Sequence, residues 1–124
     1  MGLLREGELM AQWRVATSHW TADELWVLVR NLLELPERTP PDAVAFASVV
    51  PQVRHSVYGL CGRYLDLEPV EVSPSTAGIG IGYLFPHELG PDRLANAAGA
   101  LLLDSAPAIV ADFGTATTFD VIDA

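Results

Sequence analysis

No feature of this 124-residue chain constrains its fold more than the run over residues 43–50. Every position in it is apolar except Ser48, with Pro40 and Pro41 before it and Pro51 after it. A segment with no polar face reads as a strand buried on both sides, the habit of parallel sheets. Parallel strands need long crossovers, usually helices. Helical patterns lie on either side. Upstream, Thr21-Ala22-Asp23-Glu24 forms a capping box. Leu25, Leu28, Val29, Leu32 and Leu33 follow at helical spacing, which predicts an amphipathic helix over 22–35 ended by Pro36, Pro40 and Pro41. Downstream, Pro51 suits a first helical turn. Val53, Val57, Leu60, Cys61 and Leu65 make the inner stripe of that helix, and 69–72 is a short strand. Helix, strand, helix, strand in this order predicts an α/β fold with a largely parallel sheet.

The flanks are less regular. Residues 9–17 are rich in strand formers, with Leu9, Ala11, Trp13 and Val15 on one face, and Leu3 and Leu4 lead into a hairpin turn at Gly7. Residues 73–91 hold four glycines and three prolines, too long a stretch for an ordinary connector. Long loops beside parallel strands carry function. A helix is predicted over 92–104, lined by Leu94, Ala97, Ala98, Leu101 and Leu102. A buried strand over 107–111 then ends at Asp112, followed by a turn over 113–117 and a strand over 118–122.

Composition excludes several functions. The net charge is −9, carried against seven arginines and no lysine. An acidic chain without a basic stripe is not expected to bind nucleic acid. Without lysine there is no Walker A lysine, Schiff base or lysine general base. The single cysteine, Cys61, excludes an internal disulfide framework and points to a reducing, cytoplasmic setting. Glu6 stands where a myristoylation signal needs Ser or Thr. The apolar runs 43–50 and 94–103 fall short of the roughly 20 residues that span a bilayer, so no membrane partner is expected. The length suits one domain, able to bury about two thirds of its unfolded surface.

Two segments could carry chemistry. In Asp112-Phe113-Gly114-Thr115-Ala116-Thr117, a carboxylate at a strand end points into the crevice where α/β proteins bind ligands. Gly114 admits close backbone approach, Thr115 and Thr117 offer hydroxyls and amides to a phosphate, and Asp112 could hold a cation. A tight hairpin with threonines satisfying its own amides fits the same residues. Asp112-Phe113-Gly114 is not a protein-kinase metal site, because the chain has neither the strand lysine nor an HRD loop. In the second segment, from Tyr83 to Asn96, Asp92 opens a helix after a flexible loop. There it is either a first-turn residue or a functional acid. Arg93 could pair with a carboxylate ligand or with Glu88. Gly78-Ile79-Gly80-Ile81-Gly82 lacks dinucleotide-loop spacing. His19, His55 and His87 have no metal-ligand spacing, and Trp13, Trp20 and Trp26 are expected in the core or an interface.

Together these segments resemble the type III pantothenate kinase family. The resemblance rests on Trp13-Arg14-Val15-Ala16-Thr17, Thr21-Ala22-Asp23-Glu24, Ser48-Val49-Val50-Pro51 and the stretch from Tyr83 to Asn96. It ends with Asp112-Phe113-Gly114-Thr115-Ala116-Thr117-Thr118-Phe119-Asp120. It implies an actin-like, ribonuclease-H-like ATPase fold with a mixed sheet flanked by helices. It also implies transfer of the ATP γ-phosphate to pantothenate, the first step of coenzyme A synthesis. By that match Asp92 is the general base, Tyr83, Gly90, Pro91, Asp92 and Arg93 bind pantothenate, Thr115 contacts ATP, and Asp112 binds a monovalent cation (K+ or NH4+). Mg2+ would accompany ATP, and the family implies a homodimer. With few cationic side chains, metal ions must supply most positive charge around ATP.

The chain departs from the family pattern in three respects. It contains no Asp-x-Gly-Asn-Thr phosphate loop, it lacks the family's later Gly-rich segments, and Pro91 replaces the usual alanine. The expectation is therefore an incomplete fold: residues 1–105 as a first actin-like domain without its first strand, and 106–124 as the first two strands of a second. Strands left unpaired in that way lose about 1–3 kcal/mol per buried backbone group, and this chain alone is expected to be inactive. The alternatives are a non-enzymatic relative that dimerises as an accessory factor in transcriptional regulation, or an α/β interaction domain with another ligand.

Overall fold

The computed structural model describes residues 1–16, 18–33, 40–103, 106–114 and 116–123. Strands β1 (Gly2–Arg5) and β2 (Glu8–Gln12) form an antiparallel hairpin. Its turn residues Glu6 and Gly7 both have positive φ, 50° and 84°, which matches the right-handed twist of the paired strands. Strand β2 is shorter than the predicted 9–17, and the predicted single face is broken. Leu3 pairs with Ala11 but Leu4 pairs with Leu9, so Met10 is an extra residue. This bulge turns Leu9 out to solvent while Ala11, Trp13 and Val15 stay half-buried.

Helix α1 (Ala22–Leu33) starts at the predicted capping box. The Thr21 N–H donates to Glu24 Oε2 at 2.9 Å, and the Glu24 N–H donates to Thr21 Oγ1 at 3.2 Å. The helix packs on α2 (Pro51–Leu60), where Gly59 allows close approach: a Cβ there would stand 2.9 Å from Ala22 Cβ. Ser56, 1% exposed, donates to the carbonyls of Trp20 and Gln52. The end of α2 widens into a π-helical turn, Cys61–Leu65, closed by Asp66 in the left-handed region. That turn is latched to the start of α1. Arg63 Nη1 and the Tyr64 hydroxyl donate to Asp23 Oδ1 at 2.6 and 2.7 Å, and Trp26 stacks on Tyr64 with 5.1 Å between ring centroids.

Strand β3 (Ala45–Phe46) pairs in parallel with β4 (Val70–Glu71), as the helix–strand order requires, but the expected single, largely parallel or mixed sheet does not form among the described residues: this two-residue pairing stands apart from two antiparallel hairpins. The run 43–50 is not buried throughout, however. Val44, Phe46 and Ser48 are half-buried, whereas Ala43, Ala45, Ala47 and Val49 are exposed, Val49 to 70%. The reason is geometric. Among the described residues β3 has one strand neighbour, and α2 lies on one face through the Phe46–Tyr58 edge contact and the Arg54–Glu71 ion pair. Among the described residues nothing covers the other face, where Ala43, Ala45, Ala47 and Val49 are exposed.

Helix α3 (Pro91–Leu102) packs on a hairpin of β5 (Ala108–Phe113) and β6 (Thr117–Ile122). Leu94, Ala97 and Ile122 form its small core. Leu101 and Leu102, predicted on the inner face, reach past the hairpin, and Leu102 is 87% exposed. The strand predicted as buried over 107–111 is one-sided. Val110, Asp112, Thr118 and Asp120 face α3, while Ile109, Phe113, Phe119 and Val121 face solvent. These single-faced ribbons leave 8987 Å² accessible, against about 6,500 Å² for a compact monomer of this length. The chain buries nearer half of its unfolded surface than two thirds. Among the described residues, no helix is long and apolar enough to cross a membrane.

Candidate functional site

The site is built around the first turn of α3. Gly90 is its N-cap in an extended conformation, and Pro91 occupies the first helical position, where no N–H is needed. Asp92 folds back over this entry, and its Oδ1 accepts the Arg93 backbone N–H at 3.0 Å. A Cβ on Gly90 would meet the Asp92 carboxylate, so a larger residue there would displace that side chain from its present position. Asp92 is solvent-exposed, and Oδ2 makes no hydrogen bond among the described residues. It is thus a first-turn residue whose second oxygen remains open.

Arg93 reaches to the hairpin. Its Nε donates to Asp120 Oδ1 at 2.8 Å, and Nη2 donates to the same oxygen. The partner is Asp120, not Glu88 as the sequence allowed. The pair is sheltered, with side chains 28% and 12% exposed, and hydrogen bonding to Asp120 raises the Arg93 pKa above its ordinary value. The Tyr83 ring lies 5.9 Å from Arg93 Cζ, a cation–π distance. One turn further along α3, Asn96 Nδ2 donates to Asp112 Oδ2 at 3.3 Å. Arg93 and Asn96 are three apart on the helix and so share a face. Asp112 stands opposite Thr118, and Asp120 opposite Val110, on the matching face of the hairpin. Two cross-links therefore tie the helix entry to the strand–turn junction.

Tyr83, Gly90, Pro91, Asp92 and Arg93 thus come together, and Asp112 is joined to them through Asn96. Thr115 lies outside the described residues. Beside it, the Gly114 N–H donates to the Ala116 carbonyl at 3.1 Å. Asp112 could hold a cation through Oδ1, an anionic oxygen next to the turn, while Asn96 donates to Oδ2. Among the described residues no three His, Cys, Asp or Glu converge as a metal cluster. The three histidines are exposed.

Asp120 and Asn96 have no assigned role in the sequence motifs, yet both bind site residues here. A signal existed for the first. Asp120 alternates with Thr118 and Ile122 on the buried face of β6, and a sheltered carboxylate there demands a cation in a chain with seven.

Helix start, strand end and turn define an α/β protein with a candidate ligand site where the N-terminus of α3 meets the β5–β6 hairpin. Residues 1–124 match the family described as type III pantothenate kinase. A type III pantothenate kinase of Listeria innocua is 39% identical over 127 residues, covering 99% of this chain and 49% of that relative. Those of Listeria welshimeri and Listeria monocytogenes are 38% identical with the same coverage. The chain belongs to the type III pantothenate kinase family, and it spans about half the length of the curated relatives it matches.

Proposed function

We propose that this chain carries the pantothenate side of a site that phosphorylates pantothenate to 4′-phosphopantothenate with ATP, the first step of coenzyme A biosynthesis. One observation carries the reading. The exposed carboxylate of Asp92 stands at a helix entry beside the Tyr83–Arg93 stack, with one oxygen committed to its own helix and the other open. Asp92 accepts the proton of the primary hydroxyl as that oxygen bonds the γ-phosphorus and the bond to the β-phosphate oxygen breaks, releasing ADP. Arg93 and Tyr83, with Gly90 and Pro91, hold pantothenate. Thr115 contacts ATP. Asp112 holds a K+ or NH4+ ion, which with the Mg2+ that accompanies ATP supplies positive charge that the chain's few arginines do not.

The reading includes an actin-like ATPase fold divided near residue 105, a homodimer, and a cytoplasmic setting. The chain has no Asp-x-Gly-Asn-Thr segment, and alone it turns over no pantothenate. The test is a chimera in which residues 1–124 replace the matched part of the Listeria innocua relative. It is expected to phosphorylate pantothenate. Asp92→Asn lowers kcat about 10²–10⁴-fold, the usual contribution of general acid–base catalysis, and leaves pantothenate binding in place. Turnover unchanged by that substitution removes Asp92 from the reaction.

A further inference from the structure

We propose that Asp120 is the positioning residue for Arg93, fixing the guanidinium so that its remaining N–H edge faces pantothenate. The inference rests on the substrate reading above. Three observations support it. Asp120 Oδ1 takes both Nε and Nη2 of Arg93, which fixes the plane of the guanidinium and leaves the Nη1 edge unengaged among the described residues. The Asp120 carboxylate is 12% exposed, and Oδ2 is buried with no partner among the described residues, so Arg93 is what compensates this charge. The Tyr83 ring, 5.9 Å from Arg93 Cζ, limits the guanidinium from a second side. A long side chain on an exposed helix entry would otherwise sample many rotamers and present no defined edge. Asp120 reaches it across 27 residues of sequence, from the strand that pairs with the Asp112 strand. The same hairpin therefore holds the candidate cation ligand and aims the candidate substrate-binding arginine.

The experiment uses the 124-residue chain labelled with ¹⁵N. The Arg93 Nε–H signal is identified as the one missing from Arg93→Lys. In the wild-type chain it exchanges with water much more slowly than the signal of exposed Arg14. In Asp120→Asn it exchanges as fast as Arg14. Pantothenate titrated into the same samples binds Asp120→Asn about tenfold more weakly or worse, the scale expected when a sheltered charge pair is broken. An Arg93 signal that already exchanges like Arg14 in the wild-type chain overturns the inference and leaves the substrate reading untouched. Slow exchange lost in Asp120→Asn with unchanged pantothenate affinity also overturns it, because the pair is then purely structural. No pantothenate binding by the wild-type chain defeats the substrate reading and the positioning role together, with the exchange data still reporting on the pair. If Asp120→Asn loses its dispersed amide spectrum, Asp120→Glu carries the test, because it keeps the charge but moves the accepting oxygen by one methylene. Faster Arg93 Nε–H exchange with weaker pantothenate binding supports the inference, and faster exchange with unchanged affinity overturns it.

Discussion

The same substitution, glycine to alanine, should have opposite effects at two helical positions of this chain. At either site alanine gains about 1 kcal/mol of helix propensity. At Gly99, inside α3, a new Cβ has nothing within 4 Å. The gain is kept, and Gly99→Ala stabilises by about 1 kcal/mol. At Gly59 the new Cβ would stand 2.9 Å from Ala22 Cβ, where ordinary contact begins at 3.4 Å. Ala22 has no flexible end to swing aside, so α1 and α2 must part. Forcing a carbon into packed space costs roughly 1–3 kcal/mol. Subtracting the propensity gain leaves Gly59→Ala destabilising by about 0–2 kcal/mol, and the two variants apart by about 1–3 kcal/mol. Urea unfolding followed by circular dichroism reads this directly. With a slope of about 1–3 kcal/mol per molar, the two midpoints separate by several tenths of a molar or more, on opposite sides of wild type. Ala22→Gly in the Gly59→Ala background returns the lost space and should recover most of the deficit. Equal midpoint gains for both alanines, or no recovery by Ala22→Gly, would refute the close α1–α2 contact.

Four further outcomes are expected. Thr21→Ala removes the cap of α1 and costs about 1 kcal/mol in the same unfolding assay. Thr21, through its backbone N–H and then its hydroxyl, holds the Glu24 carboxyl below its ordinary pKa of 4.5, and the Tyr64 hydroxyl, with Arg63, holds Asp23 below 3.8. Both folded values are depressed, so their stabilisation is complete above the ordinary values and is lost as pH falls through the folded ones. Urea midpoints measured downward from about pH 5 should decline, and Tyr64→Phe should flatten the lower part of that decline. Cys61 is 0% exposed and burial pushes its thiol pKa up. Labelling by a thiol reagent should therefore be slow in the native chain and immediate in urea; prompt native labelling would contradict its burial. In the chimera, Asn96→Ala frees Asp112 Oδ2 from its one side-chain donor and should raise the half-saturating K+ concentration about tenfold, as loss of a supporting hydrogen bond to a ligand does.

What could be read from the residues, and what could not, divides along a physical line. Capping, turn chemistry and helical stripes are local, and the capping box at Thr21, the turn at Gly7 and the stripe through Leu60 and Cys61 all stand where the pattern put them. Burial is not local. The run 43–50 is apolar because of the layers a strand expects on both faces, yet hydrophobicity records only that expectation and not which layers are present. The exposed faces of β3 and of the β5–β6 hairpin have the same origin: Val49, Ile109, Phe119 and Val121 carry side chains suited to a second layer. At the candidate site, the placement of Asp92 at a helix start and of Asp112 near a strand end was legible because each lies two residues from a glycine at an element boundary, a local signature. Asp120 and Asn96 act across 27 and 16 residues, and only the strand register and the helical phase bring them to their partners. A long-range pair of this kind leaves one trace in a single sequence, a charged residue on a strand's buried face. The thing to ask of such a residue is which of the chain's few opposite charges can reach it, and for Asp120 a helix three-residue phase with Asn96 leads to Arg93.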